Sequence, residues 1–452
     1  MDQIPNELLS DVFSLLMSQL DQDPAFIRVL CQVCARWRRV AISTGRLWGR
    51  VQITLPLSIG QRRWTDIYLA NSNPYPIDIL IDLRDPEWDW NEENHTATGI
   101  AVVPIIRLLL QHCSRWRRLE MLTDNWAPIF AFLCCTKEKI AAPRLESVVL
   151  SRCNAYLAAN GQNFHPRPLS ASLPLLGGGQ SALDNLSTVS LVGVHIDWNN
   201  TALKNLKRLE FKYHSREVMP TPGQFRSILN NCRDLLSLSI VGWGPGLDVA
   251  GTYPKGFFDL PALKELTFGF VDVGYAVKLL SLFHVPILQS LVLEDINLVV
   301  SPMNIQNASP LLDWLAGPHD LSSTAIPPIP VSSLLNLEMR CIRAEPRAFS
   351  NFLNQLLLLQ RLAYFNMLDD SLDSLWSRDS GKAAYVCPKL TEFQCMDVNP
   401  HALIRVACRR GRMCDDSIQR ITFLNKEPVM ESVAYHNLIR AGIEVIESEH
   451  GI

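Results

Sequence analysis

Leu206-Lys207-Arg208-Leu209-Glu210-Phe211 sets apolar residues at its first, fourth and sixth places and polar ones between them. Its last three residues alternate with a period of two, which points Leu209 and Phe211 to one face of a short strand while Leu206 covers the turn leading in. The same unit occurs upstream as Trp116-x-x-Leu119-x-Met121, Leu145-x-x-Val148-x-Leu150 and Leu186-x-x-Val189-x-Leu191. Downstream it reads Leu235-x-x-Leu238-x-Ile240, Leu263-x-x-Leu266-x-Phe268, Leu288-x-x-Leu291-x-Leu293 and Leu334-x-x-Leu337-x-Met339. It ends with Leu359-x-x-Leu362-x-Tyr364, Leu390-x-x-Phe393-x-Cys395 and Ile418-x-x-Ile421-x-Phe423. One copy is cheap in a Leu-rich chain, but roughly eleven in succession, most about 20–31 residues apart, are a repeat. A lone strand of this kind cannot bury its apolar side, whereas parallel copies side by side make a continuous core.

Between units, residues 224–232, 273–283 and 347–358 carry apolar side chains at three- and four-residue steps and predict helices behind the strands. Two gaps interrupt the rhythm. One, between Leu145 and Leu186, holds Gly177-Gly178-Gly179; the other, between Leu288 and Leu334, holds Pro327-Pro328-Ile329-Pro330. Both read as surface insertions. The period lies in the leucine-rich-repeat range. The fold class is therefore α/β: a helical domain over 1–50, a mixed linker region over 51–110, and an irregular leucine-rich-repeat solenoid over 111–452, a curved parallel sheet with outer helices.

The 452 residues are 48% hydrophobic and 19% charged, with 42 Lys+Arg against 45 Asp+Glu and a net charge of −3. So low a charged share, against a typical ~25%, leaves most of the chain free to be buried and excludes a wholly disordered polymer. Near-balanced charge gives no footprint for nucleic acid or an anionic membrane. The longest apolar run, Ile100 to Leu110, is broken by Pro104 and Arg107 and falls short of the ~18–20 residues a spanning helix needs. The first residues lack a secretory signal and the 12 Cys are scattered, so reduced thiols in the cytoplasm and/or nucleus are expected.

In the first fifty residues Leu8, Leu9, Val12, Phe13, Leu16 and Leu20 fall at helical steps, with Pro5 suited to a first turn. Asp21-Gln22-Asp23-Pro24 breaks that helix, and Phe26, Ile27, Leu30, Val33, Cys34 and Trp37 form a second helical set before Leu47-Trp48. Helices this short and apolar cannot bury all their apolar side chains among themselves, so a partner surface is implied. Ile4-Pro5-Asn6-Glu7-Leu8-Leu9, Val12-Phe13, Leu16, Val33-Cys34-x-x-Trp37-Arg38-x-Val40-Ala41 and Leu47-Trp48 together resemble the F-box motif, with Ile4 where the family usually has Leu. Trp64-x-x-x-Tyr68-Leu69-Ala70-Asn71-Ser72 with Pro74-x-Pro76-Ile77, and His112-Cys113-Ser114-Arg115-Trp116-Arg117-Arg118-Leu119, look like segments that follow the box in fungal, basidiomycete-type F-box-like proteins. The resemblance implies a substrate receptor of a Skp–cullin–F-box ubiquitin ligase. The box would dock on a Skp-family adaptor, and through it a cullin, while the repeats hold an unknown target protein. By matching positions it makes Pro5, Leu8, Leu9, Val12, Phe13, Leu16, Val33, Cys34, Trp37 and Trp48 the adaptor-facing or box-core residues. A different reading is a scaffold in which these helices only cap the solenoid.

Chemistry is sparse. Cys31-x-x-Cys34 has a zinc spacing, but structural zinc needs four ligands and no second C-x2-C exists, so both read as core cysteines and no metal is expected. Gly246-x-x-x-x-Gly251-Thr252 lacks the phosphate-loop Lys, and no G-x-S-x-G or H-E-x-x-H is present. No catalytic residue and no cofactor are expected; the protein reads as a non-enzyme. Arg36–Arg39, Arg115–Arg118 and the patch Cys408–Arg412 read as solvated faces whose stems cover apolar surface. Candidates for target contact alternate with the strand leucines: Arg208, Glu210, Lys212, Ser239, Thr267, Glu294, Glu338 and Arg340.

Overall fold

Each of the repeat units quoted above is a strand. The structure, a computed structural model, describes residues 4–19, 24–89, 95–153, 161–248, 253–254, 256–297, 305–317, 329–376, 386–396, 398, 402–403, 406, 418–424, 433–440 and 442–447. The chain forms two compact units, Met1–Met219 and Pro220–Ile452.

The first unit opens with helices α1 (Asn6–Gln19), α2 (Pro24–Val33) and α3 (Ala35–Ser43). Strands β1 (Arg50–Thr54), β2 (Ile77–Leu83), β3 (Trp116–Thr123), β4 (Ser147–Arg152), β5 (Thr188–Val192) and β6 (Arg208–Lys212) then pair in chain order, all parallel. Their register aligns the repeat positions in one buried row, Val51↔Ile79↔Leu119↔Val148↔Val189↔Leu209. Helices α4 (Ile59–Asn71), α5 (Gly99–Leu110) and α6 (Ala127–Cys135) fill the crossovers. Pro104 sits inside α5 without ending it, and no described helix is long and apolar enough to cross a membrane.

The ladder thus starts inside the region read as a linker. Trp48-x-x-Val51-x-Ile53 is itself a copy of the unit with Trp in the leading place. In β2, Ile77, Ile79, Ile81 and Leu83 are buried and alternate with half-exposed Asp78, Leu80 and Asp82.

The described part of the first gap is not simply a surface insertion: residues 162, 163, 165, 167, 168, 171 and 172 are exposed, but part of it packs into the core. Phe164, Leu175 and Leu176 are buried, Trp126 Nε1 donates to the Leu169 carbonyl at 2.9 Å, and the Asp197 N–H donates to the Leu173 carbonyl at 2.9 Å. Gly178 permits this close packing: its φ is +69°, and a Cβ there would lie 2.0 Å from Asn200 Oδ1. Apolar residues scattered without a period carry no strand or helix signal, so the sequence reads as loop even where it is core.

In the second unit β7 (Ser237–Val241), β9 (Glu265–Phe270), β11 (Ser290–Asp295), β12 (Asn336–Arg340), β13 (Arg361–Phe365), β14 (Glu392–Met396), β15 (Arg420–Phe423) and β16 (Glu444–Glu447) form a second parallel ladder. Two-residue strands β8 (Phe258–Asp259) and β10 (Phe283–His284) pair separately. Leu238, Leu266, Leu291, Leu337, Leu362, Phe393 and Ile421 share one row, all buried. Helices α7 (Pro222–Asn230), α8 (Val273–Leu280), α9 (Ser309–Ala316) and α10 (Pro346–Leu353) occupy crossovers, and α9 packs against both α8 and α10. Since α9 buries Leu311, Leu312 and Leu315, this part of the second gap also belongs to the core; Pro327-Pro328 and the patch Cys408–Arg412 lie outside the described residues. Each unit is therefore a mixed α/β leucine-rich-repeat stack.

The arginine cluster after α5 is not a solvated helix face either. Arg115 lies in a single 3-10 turn, is buried, and donates to the Ser72 hydroxyl at 3.0 Å and to the carbonyls of Leu69 and Tyr75 at 2.9 and 3.4 Å. Arg117 grips Asp78 with two hydrogen bonds, whereas Arg118 on β3 is exposed.

His214, buried after β6 against Trp198 and Phe211, is held neutral by loss of hydration, with its pKa pushed down to about 3. Neighbouring His195 adds to the shift, and the backbone at Val194 and Lys212 opposes it. Between a pH near 6.5 and one near 3 the unfolded chain binds this proton and the folded chain does not, so stability falls as the medium is acidified through that window. The loss reaches on the order of 4 kcal/mol when fully developed. Thermal melts from pH 7 to pH 4 should show a steadily falling midpoint, and His214→Leu should flatten that slope; a parallel slope in the variant would contradict the assignment.

Candidate partner-binding site

The first helices have two apolar faces, and only one is used internally. In α1 the Leu9 N–H closes the first turn on the Pro5 carbonyl at 3.1 Å, with Glu7 near the positive end of the helix. Leu9, Phe13 and Met17, spaced by four, point inward and are buried. Phe13 meets Trp37 of α3 with ring centroids 5.0 Å apart. Leu8, Val12 and Leu15 line the opposite side and are 47–60% exposed, and Val29 and Val33 on α2 are 53% and 55% exposed. Ile27 and Leu30 take the inward positions of α2, and Val40 and Ala41 those of α3. An apolar stripe left in water on a helix whose other side is packed is the mark of an interaction surface.

Polar contacts fix the helices. Thr44 Oγ1 donates to the Val40 carbonyl at 2.7 Å and lies within hydrogen-bond distance of Ser10 Oγ at 3.0 Å, joining α3 to α1. Arg36 reaches Asn6 Oδ1 at 3.1 Å and the Ile4 carbonyl, Arg46 pairs with Asp11, and Arg38 caps α2 by donating to the Cys31 carbonyl at 2.7 Å. Trp48 is buried, donates to the Ala41 carbonyl at 2.8 Å and packs edge-on against Tyr68 of α4 at 5.0 Å.

Of the residues expected to face an adaptor, Pro5, Leu8, Val12, Val33 and Cys34 are exposed, and Leu16 and Trp37 are half-buried. Leu9, Phe13 and Trp48 take the box-core role: Leu9 and Phe13 turn with Met17 to the packed face, each about 100° round the helix from Leu8 and Val12, and Trp48 serves as the leading residue of the first strand unit. Cys34 is not the core thiol expected of it. The helix breaks there, Cys34 adopts an extended backbone between α2 and α3, and its Sγ accepts the Trp37 N–H at 3.4 Å as the N-cap of α3. Burial raises the half-buried Cys31 thiol, and all ten described cysteines are free. No group of His, Cys, Asp and Glu among the described residues could hold a metal ion.

Residues 1–54 match the F-box-like family. The matched segment spans α1–α3, the buried Trp48 and β1, so the F-box-like helices and the first strand of the ladder are one continuous piece. No curated protein matches the sequence. Among solved structures the chain is similar to the leucine-rich repeat-containing protein LegL7 from Legionella pneumophila, with 13% identity and a TM-score of 0.36, over 66% of this chain and 90% of that one.

The strand residues expected to contact a target are placed unevenly. Arg208 is exposed, while Glu210, Lys212, Thr267, Glu294, Glu338 and Arg340 are half-buried. Ser239 is corrected: it is buried, with an Oγ that lacks a partner, and is not presented for contact. Several of these charges are already matched within the chain. Glu210 accepts from Ser190 Oγ at 2.8 Å and sits 3.3 Å from Lys212 Nζ; Glu338 pairs with Arg340, whose guanidinium lies 5.5 Å from the Phe365 ring centroid. The sequence reading missed Leu15 and Val29. Leu15 continues the outward spacing of Leu8 and Val12, and Val29 lies one turn before Val33, so helical periodicity could have found both.

Proposed function

We propose that the protein is a non-enzymatic substrate receptor of a Skp–cullin–F-box ubiquitin ligase, working in the cytoplasm and/or nucleus. The observation that carries this reading is the exposed apolar stripe Leu8, Val12 and Leu15, with Val29 and Val33 beside it, on helices whose other faces are packed. A Skp-family adaptor would cover that stripe, with the few central anchors supplying most of the affinity. The repeat ladders would hold the target protein, and the mechanism would be proximity: the tethered target's lysines reach a high effective concentration beside a charged conjugating enzyme. The fungal, basidiomycete-type affiliation is part of the same proposal and rests on Trp64, Tyr68 and the His112–Leu119 segment.

Capping and docking use different faces of the same helices. α2 and the turn Gly45–Trp48 lie against β1 and α4, so the box also closes the first ladder, and the cap role does not compete with the adaptor role. Mixing the full chain with purified Skp-family adaptor and a cullin tests the proposal. Co-elution of all three in gel filtration is expected; a chain that elutes alone at micromolar concentrations contradicts it.

A further inference from the structure

We infer a ligand site, separate from the adaptor stripe, in a cavity of about 510 Å³ formed by α2, β1 and the first half of α4, suited to a small aromatic anion of the nucleoside monophosphate kind. Its size falls within the range of small-molecule sites. The lining contains one cation, Arg28, and no carboxylate. Arg28 forms no ion pair among the described residues, and its guanidinium rests 5.8 Å from the ring centroid of Trp64. The N-terminus of α4 opens on the same space: Ser58 Oγ caps it by accepting the Gln61 N–H at 3.1 Å, and no acidic side chain occupies the first turn. A guanidinium and a helix N-terminus free of carboxylates both favour an anion.

One feature asks for more than a bare ion. Trp64, 42% exposed, offers an aromatic face on which a planar ring can stack. A base would supply that ring, and its phosphate would take Arg28 and the first N–H groups of α4.

Isothermal titration of the full chain with AMP, GMP and UMP, and separately with adenosine and inorganic phosphate, tests the site. At least one monophosphate should bind with a Kd below ~1 mM, and adenosine and inorganic phosphate at least ~10-fold more weakly. Arg28→Ala and Trp64→Ala should each weaken the monophosphate at least ~10-fold without moving the melting midpoint, since both side chains are exposed. The chain carrying Leu8→Asp and Val12→Asp should bind nucleotide as the wild type does, which separates this site from the adaptor reading. No heat from any monophosphate at ~5 mM, or equal affinity in Arg28→Ala, overturns the inference; inorganic phosphate binding as tightly as AMP overturns its aromatic part.

Discussion

A chain carrying Leu8→Asp and Val12→Asp loses at least ~100-fold in affinity for a Skp-family adaptor and keeps the circular dichroism and melting of the wild type. Both side chains are about half exposed in the free chain, so placing charges there costs the fold little. Covered by a partner, each aspartate would be a buried unpaired charge, and each position would lose an apolar anchor of the kind that contributes ~2 kcal/mol or more. Leu9→Asp with Phe13→Asp is the opposite case. Those positions are buried against α3, and charges there unfold the box itself. Surface plasmon resonance with the purified adaptor, with melts of both variants alongside, distinguishes the two. If the Leu8/Val12 variant bound normally, the exposed face would not be the docking face.

Arg115→Ala should destabilise the first unit by about 3 kcal/mol, measured as a lower urea midpoint for the full chain. The buried guanidinium donates to Ser72 Oγ and to the carbonyls of Leu69 and Tyr75, and contacts His112 Nδ1 at 3.1 Å. Leu69 lies in the last turn of α4, so the cation also meets the negative end of that helix. Without Arg115 the Ser72 hydroxyl and the Tyr75 carbonyl lose this donor, the Leu69 carbonyl keeps only the Ser72 hydroxyl at 3.2 Å, and each unsatisfied group costs about 1–3 kcal/mol. Arg118→Ala, three residues on and exposed, should change stability by no more than ~0.5 kcal/mol. Equal effects at the two positions would contradict the structural role of Arg115.

The difference between those arginines shows where the sequence was legible. Position within the repeat unit could be read because alternation at Leu209 and Phe211, copied many times, dictates which side chains face the core. Arg115 precedes a strand unit, and nothing in its neighbours reveals that three acceptors converge on it from residues 40–46 positions earlier. Gly177-Gly178 misled for a related reason: glycines read as loop, but here they allow close contact with Glu138 and Asn200. In the box, the two-sided apolar character of α1 was plain from composition. Which side faced inward was settled only by the packing of Phe13 on Trp37. Ser239 shows the limit of alternation on the other face of the strands: a residue can point away from the core leucines and still be buried.

Hydrogen–deuterium exchange of the full chain with and without the Skp-family adaptor tests most directly whether the N-terminal helices are a docking module. Protection confined to peptides over 4–19 and 24–33, with the strand segments 208–212 and 336–340 unchanged, is the expected pattern. Binding with no change in the first 54 residues would contradict it.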